Sequence, residues 1–397
     1  MTEIKAAREP LFHVVKRSNI PVWKRLVYYA VAIVAALLIS AVFCAISSDI
    51  GDFGDFFRYL FEGVFGTETR IWLFFREGML LLGVALALLP AFKMKFWNLG
   101  ANGQVVISCL VSYAVMFYLG KEGSASNGVV IIVMIIASVS ASIIWAIIPA
   151  IFKAIFNTNE TLFTLMMNYI AEGLVLLMIK IWAPSGSGSL DPIPEFGLLD
   201  IGNVYLLTII AVTVITLFSY FYLNKSKHGY ELAVVGESIN TAKYAGMNVK
   251  KIVIRTMVLS GAICGIIGLL LTGNINHSVH STMHSNMGFT AIIATWLAQF
   301  NPLVTIGTCF LITFISRGMN FVKVKFHFYD TSIVNVVTGF IYFFIIACSF
   351  FISYRLVFKK KDKKQESDGF MSGSEKTEKE DIKDTNNGNK GGIKNDD

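Results

Sequence analysis

The sequence predicts an all-α polytopic membrane protein with about ten transmembrane helical segments, broken or half helices among them, and both termini in the cytoplasm. Three observations carry this. Hydrophobic residues make up 54% of the chain and charged residues 15%, against about 25% charged in soluble domains. Apolar runs long enough to cross roughly 30 Å of hydrocarbon recur from Leu26 to Val357. Basic residues gather in particular loops: Lys16, Arg17, Lys24 and Arg25 before the first run, and Lys225, Lys227, Lys243, Lys250, Lys251 and Arg255 around a later one. Such clustering sets orientation, basic side inward. It also disposes of a nucleic-acid reading of the net charge of +7, since the tail from Lys359 to Asp397 balances ten Lys against ten acids.

Residues 1–25 read as a polar cytoplasmic segment, 26–358 as the membrane domain and 359–397 as a disordered cytoplasmic tail, apolar-poor and charged. The first span, Leu26–Ser48, is too long for a signal-peptide core and reads as an anchor. Asp49–Thr69 is acidic and contains the aromatic run FFRYLF, the pattern of an amphipathic helix at the outer interface. The second span, Ile71–Phe92, contains Arg76 and Glu77. These consecutive residues point in different directions and are candidates either for function or for an interfacial position.

A third span starts within GANGQVVIS and ends near Gly120. Val129–Phe152 and Leu162–Trp182 follow, then a Pro- and Gly-rich outer loop, PSGSGSLDPIPEFG. Val204–Leu223 returns to the cytoplasm and Ile252–Gly273 leaves it. Phe289–Phe300 is too short to cross, and Asn301–Pro302 breaks it from Leu303–Gly318. The pair reads as two helices meeting at a break, one entering and one leaving. Asp330–Phe358 is the last span.

Several polar features stand out from this apolar background. Asn98, Gly100, Gly103 and Gln104 interrupt the pattern at a helix start. Irregular backbone at membrane depth is tolerated where it is buried in protein or lines a wet cavity, so these amides serve either a helix cap or a solute path. Asn168 and Tyr169 lie two turns into a span near Thr161 and Thr164, where polar groups are costly unless paired; they line a path or bond between helices. The loop GYELAVVGESINTAKYAGMNVKK reads as a docking element for a soluble partner. Ser238 caps a short helix whose small face is Thr241, Ala242 and Ala245, and Gly246 ends it. His277, His280 and His284 have helix-face spacing without a neighbouring carboxylate, and no metal is expected there. The cysteines Cys44, Cys109, Cys264, Cys309 and Cys348 lie in apolar runs without paired spacing, as small hydrophobes would. Trp97, Phe289 and Trp296 suit stacking on a base or anchoring at an interface.

Three of these segments resemble those of one family in its order. FWNLGANGQVVIS resembles "FNIG-x-x-GQ", NETLFTLMMNYIAEGL resembles "NE-x-x-x-T-x-M-x-NY", and the docking loop resembles "GYELRAVG…AA-x-YAG-x-N". These are segments of membrane permeases of bacterial ABC importers for simple sugars and nucleosides, and the match is nearest to the nucleoside branch. The family typically has an acidic residue where this chain has Asn102, and ALLG where it has Trp296–Leu297–Ala298–Gln299; these departures bear on the solute.

The resemblance implies a permease subunit, not an enzyme, in the cell membrane. Asn98, Gln104, Thr164, Asn168 and Tyr169 would line the path. The loop over residues 224–251, through Gly236, Ser238, Thr241, Ala242, Tyr244, Ala245 and Gly246, would couple to a cytoplasmic ATPase. It also implies a second permease subunit, identical or homologous, and an external substrate-binding lipoprotein. ATP and Mg would sit on the ATPase, and no GxxxxGK[ST] occurs here. A membrane enzyme is disfavoured by the absence of HExxH, GxSxG and paired intramembrane carboxylates. Ion-coupled secondary transport of a small polar solute is the alternative; it calls for titratable groups at mid-membrane, which are few here.

Overall fold

In the computed structural model the described residues are 12–16, 21–48, 52–183, 188–199, 202–280, 282–283, 285–328 and 332–358. Contacts divide the chain into two units, residues 16–355 and the two terminal segments together. The tail assigned to 359–397 lies outside the described residues, as does most of the segment assigned to 1–25. Thirteen helices are described: α1 (Val22–Ser47), α2 (Phe53–Phe65), α3 (Glu68–Lys93), α4 (Ala101–Val115), α5 (Asn127–Phe156), α6 (Glu160–Trp182), α7 (Leu206–Lys225), α8 (Lys227–Glu237), α9 (Ile239–Tyr244), α10 (Val249–Leu270), α11 (Met287–Leu297), α12 (Pro302–Lys325) and α13 (Ser332–Ser353). Eight are long and apolar enough to cross a membrane, α4 and α10 being extended by single π-helical stretches, Met116–Lys121 and Leu271–Asn276; α11 and the apolar part of α13 are shorter. These ten segments match the sequence reading.

The last segment is corrected at its end. Helix stops at Ser353, and Tyr354–Phe358 (β2) pairs with Phe12–Lys16 (β1) in a two-stranded sheet. A run of Tyr, Leu, Val and Phe suits either a helix or a strand, and hydropathy alone does not separate the two.

Helix ends are written in local chemistry. Thr67, Asn159, Ser226, Ser238, Asn248 and Asn301 each accept a backbone N–H at the start of a helix, satisfying donors that the helix leaves free. Pro302 occupies the first turn of α12, where its missing N–H costs nothing. The break expected at Asn301–Pro302 is therefore real, with α11 entering it and α12 leaving.

The larger core gathers around α3, α4 and α10, with α5 packed against α10. Hydrocarbon offers no hydrophobic drive between spans, so close approach of small residues takes over. On α10, Gly261 and Gly265 meet α5 so tightly that a Cβ at either would come within 3.0 Å of Ser142, Ala146 or Val139. α4 and α10 run side by side in the same direction, Ser108 Oγ donating to the Gly265 carbonyl at 2.6 Å. A second core joins α1, α2, the end of α12 and α13. The helix expected within Asp49–Thr69 is α2, and its buried face is Phe56, Leu60, Gly63 and Val64.

The segment at 188–199 lies along 273–280. Leu190 N–H donates to Val279 O at 2.9 Å, Ile193 N–H to His277 O at 2.9 Å and Leu198 N–H to Gly273 O at 2.7 Å. Its Leu190 and Ile193 are buried, so this Pro- and Gly-rich connection is packed down on the helices.

Candidate functional site

The polar residues at the start of α4 form one buried network. Asn98 Oδ1 accepts the Gly100 N–H at 2.9 Å, and its Nδ2 donates to Ser260 Oγ on α10 at 3.2 Å. Ser260 Oγ donates in turn to Gln104 Oε1 at 3.4 Å. From α6, Thr164 Oγ1 accepts the Leu99 N–H at 3.1 Å and donates to the carbonyl of Glu160. Asn168 Oδ1 accepts the Gly103 N–H at 2.8 Å, while its Nδ2 donates to the Leu99 carbonyl at 2.7 Å. From the other side, Gly288 at the start of α11 donates its N–H to Asn102 Oδ1 at 2.7 Å.

The structure thus brings Asn98, Gln104, Thr164 and Asn168 together, all at most 2% exposed; Asn98, Thr164 and Asn168 accept backbone N–H groups at the helix start, while Gln104 joins them through Ser260. Of the two uses open to these amides, the cap is the one visible here. Ser260 lies about three turns into α10, roughly 16 Å from its start, so the α4 terminus is set well inside the bundle. Tyr169 is not part of the network; it is 60% exposed on the opposite face of α6. Sequence reasoning missed Ser260 as a member, since nothing in its apolar, small-residue context distinguishes it.

Arg76 and Glu77 do point apart. Glu77 forms a two-pronged ion pair with Arg317 of α12, Arg317 Nε donating at 2.5 Å. Arg76 lies over the Tyr205 ring at 5.2 Å, a cation–π contact. The partner Arg317 was not anticipated, because it lies 240 residues away.

The docking loop is two helices rather than one. Ser226 caps α8, accepting the Gly229 N–H at 3.0 Å, and Ser238 caps α9 through the Thr241 N–H at 3.2 Å. Gly246 follows α9 with φ +76, and Met247 N–H and Gly246 N–H return to the carbonyls of Ala242 and Lys243. That is the left-handed closure glycine favours. Gly236 is buried on the end of α3, where a Cβ would lie 2.2 Å from Lys93 O. Ala242 is fully buried, which corrects its place on an outward small face; it ties α9 to the bundle. Thr241, Tyr244 and Ala245 are exposed, Tyr244 at 93%.

At the root of this element His228 is 2% exposed and shares a 2.5 Å hydrogen bond with Tyr222 on α7. Burial, then the Arg255 charge, lower its pKa below the ordinary 6.5, against an opposing pull from Glu231.

His277 contacts the Phe196 carbonyl through Nδ1 at 3.2 Å, and His280 bridges to Ser189; His284 lies outside the described residues. Among the described residues no three His, Cys, Asp or Glu side chains are placed to hold a metal. All five cysteines are free thiols, four of them buried. Trp97 and Trp296 meet edge to face, ring centroids 5.8 Å apart. Phe289 and Trp296 stand two turns apart on α11, 38% and 49% exposed.

Three relatives share this chain's pattern over most of their length. The guanosine ABC transporter permease protein NupP of Bacillus subtilis is 26% identical over 270 residues, 64% of this chain and 74% of the relative. The nucleoside ABC transporter permease protein NupB of Lactococcus lactis is 24% identical over 303 residues, 72% and 81% of the two chains. The glucose ABC transporter permease protein TsgB13 of Haloferax volcanii is 24% identical over 364 residues, 86% and 92%. A family model described as "Branched-chain amino acid transport system / permease component" matches residues 71–355, from the start of α3 through α13, taking in the α4 network and the α8–α9 element. The chain belongs to that permease family and is a multi-pass membrane protein that carries solute rather than catalysing a covalent reaction.

Proposed function

We propose that this chain is the membrane-spanning subunit of an ATP-driven importer for a nucleoside or a related simple sugar. It would couple to a separate cytoplasmic ATPase through α8–α9, with both termini on that side, pair with a second permease, and receive solute from an external binding lipoprotein. The observation that carries the coupling is the build of α8–α9. Two capped helices are anchored inward by Gly236 and Ala242, yet hold Thr241, Tyr244 and Ala245 outward. A rigid knob with small and aromatic residues on its free face suits insertion into a partner's groove. The names of the relatives support the solute: two are named for guanosine or nucleoside and one for glucose. The family description names a different solute class, so membership alone does not choose among them.

The test is purification of the tagged chain from its native membrane, with Tyr244→Ala and Ala245→Trp as variants. An ATPase is expected to accompany the native chain and to be lost from Ala245→Trp, which keeps the thermal stability of the parent because its side chain faces outward. Ala242→Trp is the contrasting control and should unfold. Recovery of no ATPase with the native chain, together with solute uptake that survives ATP depletion, would replace this reading by ion-driven transport.

A further inference from the structure

Two spans end side by side at lysines. Lys93 is the last residue of α3 and Lys225 the last of α7, and Lys227 is the first of α8. Lys93 reaches across to the end of α7, its Nζ donating to the Leu223 carbonyl at 3.3 Å. α8 is pressed onto both helix ends: a Cβ at Gly229 would meet Leu223 O, and one at Gly236 would meet Lys93 O. The three lysines, Asn224 and Tyr230 line a cleft of about 520 Å³ at this junction. No carboxylate lines it, and among the described residues none pairs with any of the three ammonium groups.

Three cations gathered without a counter-ion repel one another, and an anion between them turns that repulsion into attraction. Lys93 uses one of its three donors on Leu223, which leaves two for a ligand. Lys225 and Lys227 are exposed. Because α3 and α7 are both long enough to span a membrane, the cleft at their ends lies where hydrocarbon gives way to headgroups. Tyr230, 65% exposed, is the residue type that settles at that level. We propose that this cleft binds the phosphate of an anionic phospholipid, which straps the first turns of α8 to the ends of α3 and α7. A zwitterionic lipid carries the same phosphate but brings an ammonium into the lysine cluster, whereas a phosphatidylglycerol headgroup does not. A soluble partner's carboxylate fits less well, because the outward residues Thr241, Tyr244 and Ala245 stand on and after α9, past the far end of α8. The lipid holds α8 whatever powers transport, so this site and the ATP-driven reading stand or fall separately.

The experiment is native mass spectrometry of the purified full chain, titrated with phosphatidylglycerol, phosphatidylcholine or inorganic phosphate. The parent is expected to bind phosphatidylglycerol about tenfold more tightly than phosphatidylcholine and to retain it against an equal concentration of inorganic phosphate. The double variant Lys225→Gln, Lys227→Gln should bind phosphatidylglycerol about tenfold more weakly at the parent's melting temperature, since both side chains are exposed. Lys225→Arg with Lys227→Arg should keep the parent's affinity. Lys250→Gln with Lys251→Gln removes the same charge from the start of α10, outside the cleft, and should weaken binding by less than about twofold. Hydrogen exchange of the α8 amides should be slower in phosphatidylglycerol nanodiscs than in phosphatidylcholine ones for the parent, and alike in both for Lys225→Gln, Lys227→Gln. Equal loss of binding in the two glutamine-substituted double variants would mark attraction to a charged surface and overturn the site. Release of the lipid by inorganic phosphate, the mark of a free-anion site, overturns it too, as does release by the ATPase recovered with the native chain, the mark of a protein contact. Exchange of α8 that ignores the lipid in the parent overturns the strap.

Discussion

Asn168 holds two backbone groups of another segment with the two ends of one amide. A side-chain hydrogen bond between membrane helices is worth only about 0.6 kcal/mol on average, because in the unfolded state the side chain finds other partners. The Gly103 N–H and Leu99 carbonyl are fixed by a helix start and are buried, so removing Asn168 leaves both unmade, at about 1–3 kcal/mol each. Asn168→Ala is therefore expected to cost about 2–6 kcal/mol, and Tyr169→Ala, on the exposed face, under about 0.5 kcal/mol. Reversible unfolding in mixed detergent measures both; equal costs would remove the capping role. A second residue-scale case is Glu77 with Arg317, side chains 41% and 25% exposed. Removing one charge strands the other, whereas removing both does not. Arg317→Met should lower the melting temperature more than the double variant Glu77→Gln, Arg317→Met, and the reverse order would show that the pair contributes nothing.

Among the elements, legibility followed the range of the interactions. The α9 and α12 starts are readable because Ser238 and Asn301–Pro302 act within a few residues of their own position. The spans were readable because hydropathy is a property of a window. The pairing of Glu77 with Arg317, the inward turn of Ala242 and the membership of Ser260 in the α4 network each depend on where a distant helix comes to rest, and no local pattern encodes that. α8 reads as loop in the sequence because its five buried positions (His228, Gly229, Leu232, Val235, Gly236) pack against α3, α7 and α10 without forming an apolar run. This element should respond to pH. The pKa of buried His228 is lowered, so the unfolded chain binds its proton first. Stability from the neutral ring is complete above pH about 6.5 and falls as the pH drops below it toward the lowered folded value. Protonation would also set a cation beside Arg255. Hydrogen exchange of α8 amides, corrected for the intrinsic pH dependence, should show less protection at pH 5.5 than at pH 7.5, and His228→Asn should flatten the difference. Unchanged protection in the parent would show that His228 does not hold the α7–α8 junction.

At the scale of the whole membrane domain, the two cores divide the labour. The α4 network lies within the larger one, around α3, α4 and α10, and α2 is held on α12 within the smaller. In the smaller core the helices meet through glycine: a Cβ at Gly63 would lie 2.6 Å from Phe321 Cβ, and one at Gly318 would lie 2.7 Å from Leu60. Neither contact shares a residue with the partners of Asn168. Substitutions without shared partners add to within about 0.3–0.5 kcal/mol, while neighbours couple by about 0.5–3 kcal/mol. Overpacking at Gly63→Ala is expected to cost about 1–3 kcal/mol. Combined with Asn168→Ala, its cost should add. Gly63→Ala combined with Gly318→Ala should cost less than the sum, since once α2 has moved off α12 the second methyl meets space already opened. The same unfolding assay on the three single and two double variants decides the matter. Strong coupling between Gly63 and Asn168 would mean that the two cores move as one body.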